Sequence, residues 1–148
     1  KLKQGKNLWH SFKMDLGEDM GAKYAESELN NDKIKILNPK DVTTLFFKYL
    51  KTQIEKYVKE HNLPSIIEYA VSIPASFEAN QRKDLIDSLY ANEMMLQKQA
   101  LIDEPNAAFL SYISNKEGVN EVHISEDFST NILVFDFGAG TCDINLKI

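Results

Sequence analysis

The stretch that decides the fold is Asp136-Phe137-Gly138-Ala139-Gly140-Thr141-Cys142-Asp143, set between apolar runs over 131–137 and 141–148. Two apolar runs around a turn of small residues read as a β-hairpin. Gly138 and Gly140 admit positive φ and let a ligand approach the backbone closely. Successive N–H groups in such a turn form a concavity suited to phosphate oxygens, and Thr141 adds a hydroxyl donor. Asp136 and Asp143 bracket the turn with hard oxygens of the kind that hold hydrated Mg2+. Phosphate, Mg2+ and a positioned water are the components of phosphoryl transfer. Two other readings share this local spacing: a plain hairpin turn with two solvated aspartates, and the kinase signature that Asp136-Phe137-Gly138 spells. The kinase reading fails on context, because no HRD-type catalytic loop precedes it and no glycine-rich loop is present.

Working back along the chain, Glu104-Pro105 opens a helix, with Asp103 as a candidate cap and Ala107, Ala108, Leu110 and Ile113 on its buried side. Residues 99–102 read as a short strand before it, and residues 114–130 as a polar loop after it. Residues 69–73, Tyr-Ala-Val-Ser-Ile, read as a buried strand that Pro74 stops. A helix over 76–90 follows, with Leu85, Ile86 and Leu89 inward. The clearest helix starts where Asn38 caps, Pro39 fills the first position and Asp41 meets the positive N-terminus. Its apolar residues, Val42, Leu45, Phe46, Tyr49, Leu50, Ile54, Tyr57 and Val58, predict one continuous core-packing stripe before Asn62-Leu63-Pro64 ends it. In the first 37 residues, Leu8 to Leu16 and Lys33 to Leu37 each suggest a short strand. Strands alternating with helices argue for an α/β fold of mixed α and β elements.

Composition narrows the function classes. The chain has 148 residues, 43% hydrophobic and 26% charged, with 17 basic side chains against 22 acidic ones and a net charge of −5. This is globular composition, and its acidity argues against nucleic-acid or anionic-membrane partners. No apolar run approaches the ~18–20 residues of a membrane span, and no signal-peptide pattern opens the chain. His10, His61 and His123 are scattered around a single cysteine, Cys142, so no zinc spacing exists. The lone cysteine also excludes an internal disulfide and points to a reducing, cytoplasmic setting. The chain opens without methionine and stops at Ile148 straight after Ile144 and Leu146, which reads as an excerpt of a longer protein.

Three motifs then appear in order: Ile73-Pro74-Ala75-Ser76-Phe77 with Gln81-Arg82, Asp103-Glu104-Pro105-Asn106-Ala107-Ala108, and the hairpin stretch 136–143. Taken together they resemble the 70-kDa heat-shock chaperone family, whose patterns run VPAxFxxxQR, NEPTAA and DLGGGTFD. The resemblance implies part of an actin-like (ribonuclease-H-like) ATPase fold, mostly one lobe. Residues 1–37 then correspond to part of a small upper subdomain. Residues 38–130 supply the helix of that subdomain and the second half of the first-lobe core, and 131–148 the opening hairpin of the second lobe.

The resemblance also implies roles. Glu104 and Asp136 position the attacking water and the hydrated Mg2+, with Asp143 near the bound cations. Gly138, Ala139, Gly140 and Thr141 form a phosphate loop, with Thr141 near the γ-phosphate. Pro74 and Arg82 form an interlobe relay. ATP or ADP with Mg2+ is the implied cofactor of the intact protein, with client peptides and co-chaperones as its partners and protein folding under stress as its setting. Ala139 stands where the family has a glycine, Cys142 replaces an aromatic, Ser76 a tyrosine, and Asp103 and Asn106 replace asparagine and threonine.

The first phosphate loop, the catalytic lysine and the adenosine motif of the family have no counterpart in this sequence. The chain alone is therefore expected to bind ATP poorly, or not at all, and not to turn it over. An actin-like filament ATPase and a catalytically degenerate interaction module are the alternative readings; Ile73-Pro74-Ala75 with Gln81-Arg82 favours the chaperone. The apolar hairpin also raises an expectation of dimerisation by strand exchange.

Overall fold

The computed structural model describes residues 1–19, 24, 26–65, 67–114, 131–138 and 142–147. They divide into two compact units, one of residues 1–69 and 78–97, the other of residues 70–77 and 98–148. In chain order the elements are a 3-10 helix Phe12–Asp15, α1 Pro39–Glu60, β1 Tyr69–Ile73, α2 Ala79–Tyr90, β2 Leu96–Asp103, α3 Glu104–Ser114, β3 Ile132–Phe137 and β4 Cys142–Lys147. β1 pairs with β2, and β3 pairs with β4. The mixed helix and strand content expected from the sequence is present. Residues 115–130 of the expected polar loop lie outside the described residues.

In the first unit, α1 begins as its sequence dictates. Asn38 Oδ1 accepts from the Asp41 N–H at 2.9 Å, and the Asp41 carboxylate accepts from the Leu37 N–H at 2.8 Å. The first bond satisfies a donor that a helix start leaves open, and the second ties the residue before the cap back onto the first turn. The fully buried residues of α1, Pro39, Val42, Thr43 and Phe47, all lie in its first half, and Leu50, Ile54 and Val58 are only half-buried beyond it. Phe46, Tyr49 and Tyr57 are exposed at 47%, 63% and 56%, so the predicted five-turn stripe is half correct. The reason is the length of its partner. α2 meets α1 through Lys40, Thr44 and Lys51, and α2 ends at Tyr90. The turns of α1 beyond Lys51 extend past that end.

The α1–α2 seam is polar and close. Ser88 is fully buried, and its small side chain lets the helices approach while Oγ donates to the Asp84 carbonyl at 2.7 Å. Asn92 Nδ2 donates to the carbonyls of Thr44 and Ser88, each at 2.9 Å. Lys51 Nζ donates to the Asn92 carbonyl at 2.9 Å, placing a cation at the C-terminal end of α2 where the helix dipole favours it. Within the last turn of α2, Lys40 and Lys83 both reach Asp87 Oδ2 at 2.7 Å. The bond from Lys40, and then that from Lys83, holds the Asp87 carboxyl down at about 2.

Among the described residues of the first 37 there is no regular strand. Ser11 (φ 56) and Gly17 (φ 81) bracket the 3-10 helix in left-handed backbone, which breaks the extended run expected over 8–16. An isolated bridge joins Gln4 to Leu8. The strand expected over 33–37 fails for a different reason: side chains capture its backbone groups. Asn31 Oδ1 accepts from the N–H groups of Lys33 and Ile34, and Asn30 Oδ1 from that of Ile36. Asn30 Nδ2 also donates to the carbonyls of Tyr24 and Ile36. This local competition with ladders is what asparagine does well.

Tyr24, Ile36 and Val42 form the core beneath, with Trp9, Phe12 and Leu45 packed on it. Trp9 stacks on Tyr24 with planes 7° apart. Burial, and then the Asp15 carboxylate, pushes the Tyr24 phenol up to about 12.

Two predictions follow from this unit. Gly17 is gripped by α2: its N–H donates to Asp84 Oδ2 at 3.1 Å and its carbonyl accepts from Asn80 Nδ2 at 3.0 Å. A Cβ there meets Asn80 Nδ2 at 2.7 Å on a backbone already at positive φ. Gly17→Ala should destabilise the chain by about 1–3 kcal/mol in urea denaturation, and adding Asn80→Ala should recover only the steric part. Asp87 titrates below its ordinary 3.8 when folded, so its contribution is present above about pH 4 and fades as pH falls through about 2. Asp87→Asn should therefore lower stability at neutral pH, and the gap from wild type should close near pH 2 in a denaturation series.

Candidate functional site

The second unit carries most of the residues singled out by the sequence. β2 runs to Asp103, and Glu104 opens α3 without a linker. A carboxylate in a first helical turn is favoured by the dipole, and Pro105 fits beside it because an N–H there has no intrahelical partner to lose. Pro105 is fully buried and anchors the turn. The inward face of α3 then continues at Phe109 and Ile113, four residues apart each time, and both are half-buried. Ala108 and Leu110, expected inward, are exposed. The buried proline sets the helix's phase, and of the alanine pair Ala107 is half-buried as expected while Ala108 is not. α3 packs against β3 and β4, with Ala108, Phe109 and Tyr112 meeting β3 along an open groove of about 390 Å3.

β3 and β4 form the expected hairpin in antiparallel register, Ile132 opposite Lys147 through Phe137 opposite Cys142. The register sets Asp136 directly opposite Asp143. Directly opposed residues share a face, with Cβ atoms ~4.5–5.5 Å apart, and like charges so placed repel. On that face Ile132, Val134, Asp136 and Asn145 are half-buried, and Asp143 is only 7% exposed. Its Oδ2 is buried with no hydrogen-bond partner among the described residues, as is Asn106 Oδ1 in the first turn of α3. Both atoms are acceptors. A buried, unmatched carboxylate oxygen beside a second carboxylate calls for a cation or a strong donor.

Hydrated Mg2+ fits this donor set. Among the described residues no three acidic, histidine or cysteine side chains gather as a direct metal cage, and Mg2+ commonly keeps its waters and takes only one or two carboxylates. Gly138 follows β3 and is exposed. Ala139, Gly140 and Thr141, the rest of the expected phosphate loop, lie outside the described residues. Pro74 is fully buried just after β1, its carbonyl accepting from the Phe77 N–H at 3.1 Å. Arg82 belongs to the other unit, in the first turn of α2, where its N–H donates to the Glu78 carbonyl. Asn106 is the one residue of interest that sequence reasoning did not place in the site; its replacement of the family threonine was the available signal.

The sequence matches the family model described as Hsp70 protein over residues 6–147. Among curated relatives, "Heat shock 70 kDa protein BIP3" of Oryza sativa subsp. japonica is 30% identical over 129 residues, 86% of this chain and 17% of the relative. "Heat shock cognate HSP70 protein" of Trypanosoma brucei brucei is 30% identical over 135 residues, 91% of this chain and 18% of the relative. "Heat shock cognate 70 kDa protein 3" of Dictyostelium discoideum is 26% identical over 112 residues, 76% of this chain and 16% of the relative. The chain thus spans less than a fifth of the length of these relatives.

The opposed aspartates generate a test that needs no nucleotide. Asp143→Asn removes one of two facing charges and should raise the melting temperature of the metal-free chain by about 1–4 °C. Millimolar Mg2+ should raise the wild-type midpoint more than that of the variant. Circular dichroism melts with and without Mg2+ measure both effects.

Proposed function

The chain belongs to the Hsp70 protein family, and from that premise we propose that its second unit supplies one side of a Mg-ATP site in the intact chaperone. Membership carries the actin-like ATPase fold, and the chain is a fragment of its nucleotide-binding domain; an actin-like filament protein is not favoured. The observation that supports the site is the opposed pair Asp136 and Asp143 with a buried, unmatched Asp143 Oδ2. Within this proposal residues 1–37 belong to the small upper subdomain of the first lobe, 38–130 to its helix and the lobe core, and 131–148 to the second lobe.

The roles follow from charge and position. Bound Mg2+ neutralises phosphate charge and orders its own waters. Asp136 accepts hydrogen bonds from that water shell, and Asp143 adds negative charge beside it. Glu104, held at a helix start by the buried Pro105, orients the water that attacks the γ-phosphate. The backbone of Gly138, Ala139, Gly140 and Thr141 donates to phosphate oxygens, with the Thr141 hydroxyl nearest the γ-phosphate. Catalysis is then mainly positioning and electrostatics. Pro74 and Arg82 relay the nucleotide state to a distant peptide-binding domain, through which client peptides and co-chaperones act.

The methyl of Ala139 is the departure that bears most directly on the phosphate loop, and it is the ground for the alternative of a degenerate interaction module. Among the described residues no helix is long and apolar enough to cross a membrane; the lone Cys142 is the ground for a cytoplasmic setting, and the heat-shock relatives are the ground for a role in the stress response. Strand exchange of the hairpin between two copies finds no support in the relatives.

Two measurements test the proposal. Isothermal titration of this chain with Mg-ATP should show no micromolar binding, since the nucleotide's other contacts are supplied elsewhere; a micromolar Kd overturns the half-site reading. In the intact protein, Glu104→Ala should lower ATP turnover by about 10²-fold or more. Turnover absent from the wild-type protein itself overturns the enzyme reading in favour of the interaction module.

A further inference from the structure

We draw no further inference here: the strongest candidate, the apolar outer face of the β3–β4 hairpin formed by Leu133, Phe135, Phe137, Ile144 and Leu146, carries nothing because nothing in the structure shows what covers it.

Discussion

Two carboxylates face each other across β3 and β4, and the chemistry of the second unit depends on that pairing. Register fixes it. A strand's side chains alternate with a period of two, so a slip of one residue moves every side chain to the opposite face. Here the register that pairs Phe137 with Cys142 sets Asp136 against Asp143 and puts Ile132, Val134 and Asn145 on the same side. The hairpin is thus stabilised by apolar contacts toward α3 and strained by charge at its turn end. In the proposed site a cation at that end would relieve the repulsion, so the least favourable local interaction would be the one that selects the ligand.

The first unit solves a different problem with the same means. Its backbone is held by side chains where a sheet is missing: Asn30, Asn31, Asp41 and Asp84 each take N–H groups that a ladder might have used. Asp84 joins two of these tasks. It holds Gly17 through one oxygen and lies 3.9 Å from Lys40 through the other. The turn after the 3-10 helix, the start of α1 and the middle of α2 are therefore coupled through one side chain. α2 also carries Arg82, so the rigidity of this seam bears on any role that arginine plays.

How much of this was legible in the sequence depended on whether a local signal or a tertiary partner decided the outcome. The caps at Asn38 and Asp41, the break at Pro74, the helix at Glu104-Pro105 and the hairpin around Gly138 are local and came through. The half-burial of α1 was not legible, because its apolar residues repeat evenly while its partner α2 is only 12 residues long. The inward face of α3 was legible at Ala107 and Ile113 but not at Ala108 and Leu110, because the bulk that fills the interface is Pro105, Phe109 and Ile113. The strands expected over 8–16 and 33–37 failed where left-handed residues and asparagine side chains outcompeted pairing. In the site, Glu104, Asp136 and Asp143 were legible as residue types. The opposition of the two aspartates was not, since it rests on register, and neither was the unmatched oxygen of Asn106.

The charge of the site argues for shared binding. Glu104, Asp136 and Asp143 are all acidic, and the chain's net charge is −5, while ATP is itself a polyanion. In the proposed site, carboxylates opposed to such a ligand repel unless a divalent ion lies between, so their proposed part is toward the metal and the water. The attraction for the phosphates would then have to come from donors and cations other than these three side chains. A site divided in this way ties affinity to the approach of its two sides, because neither alone balances the charge. Under the proposed reading, the same division would let nucleotide binding report on the separation of those sides.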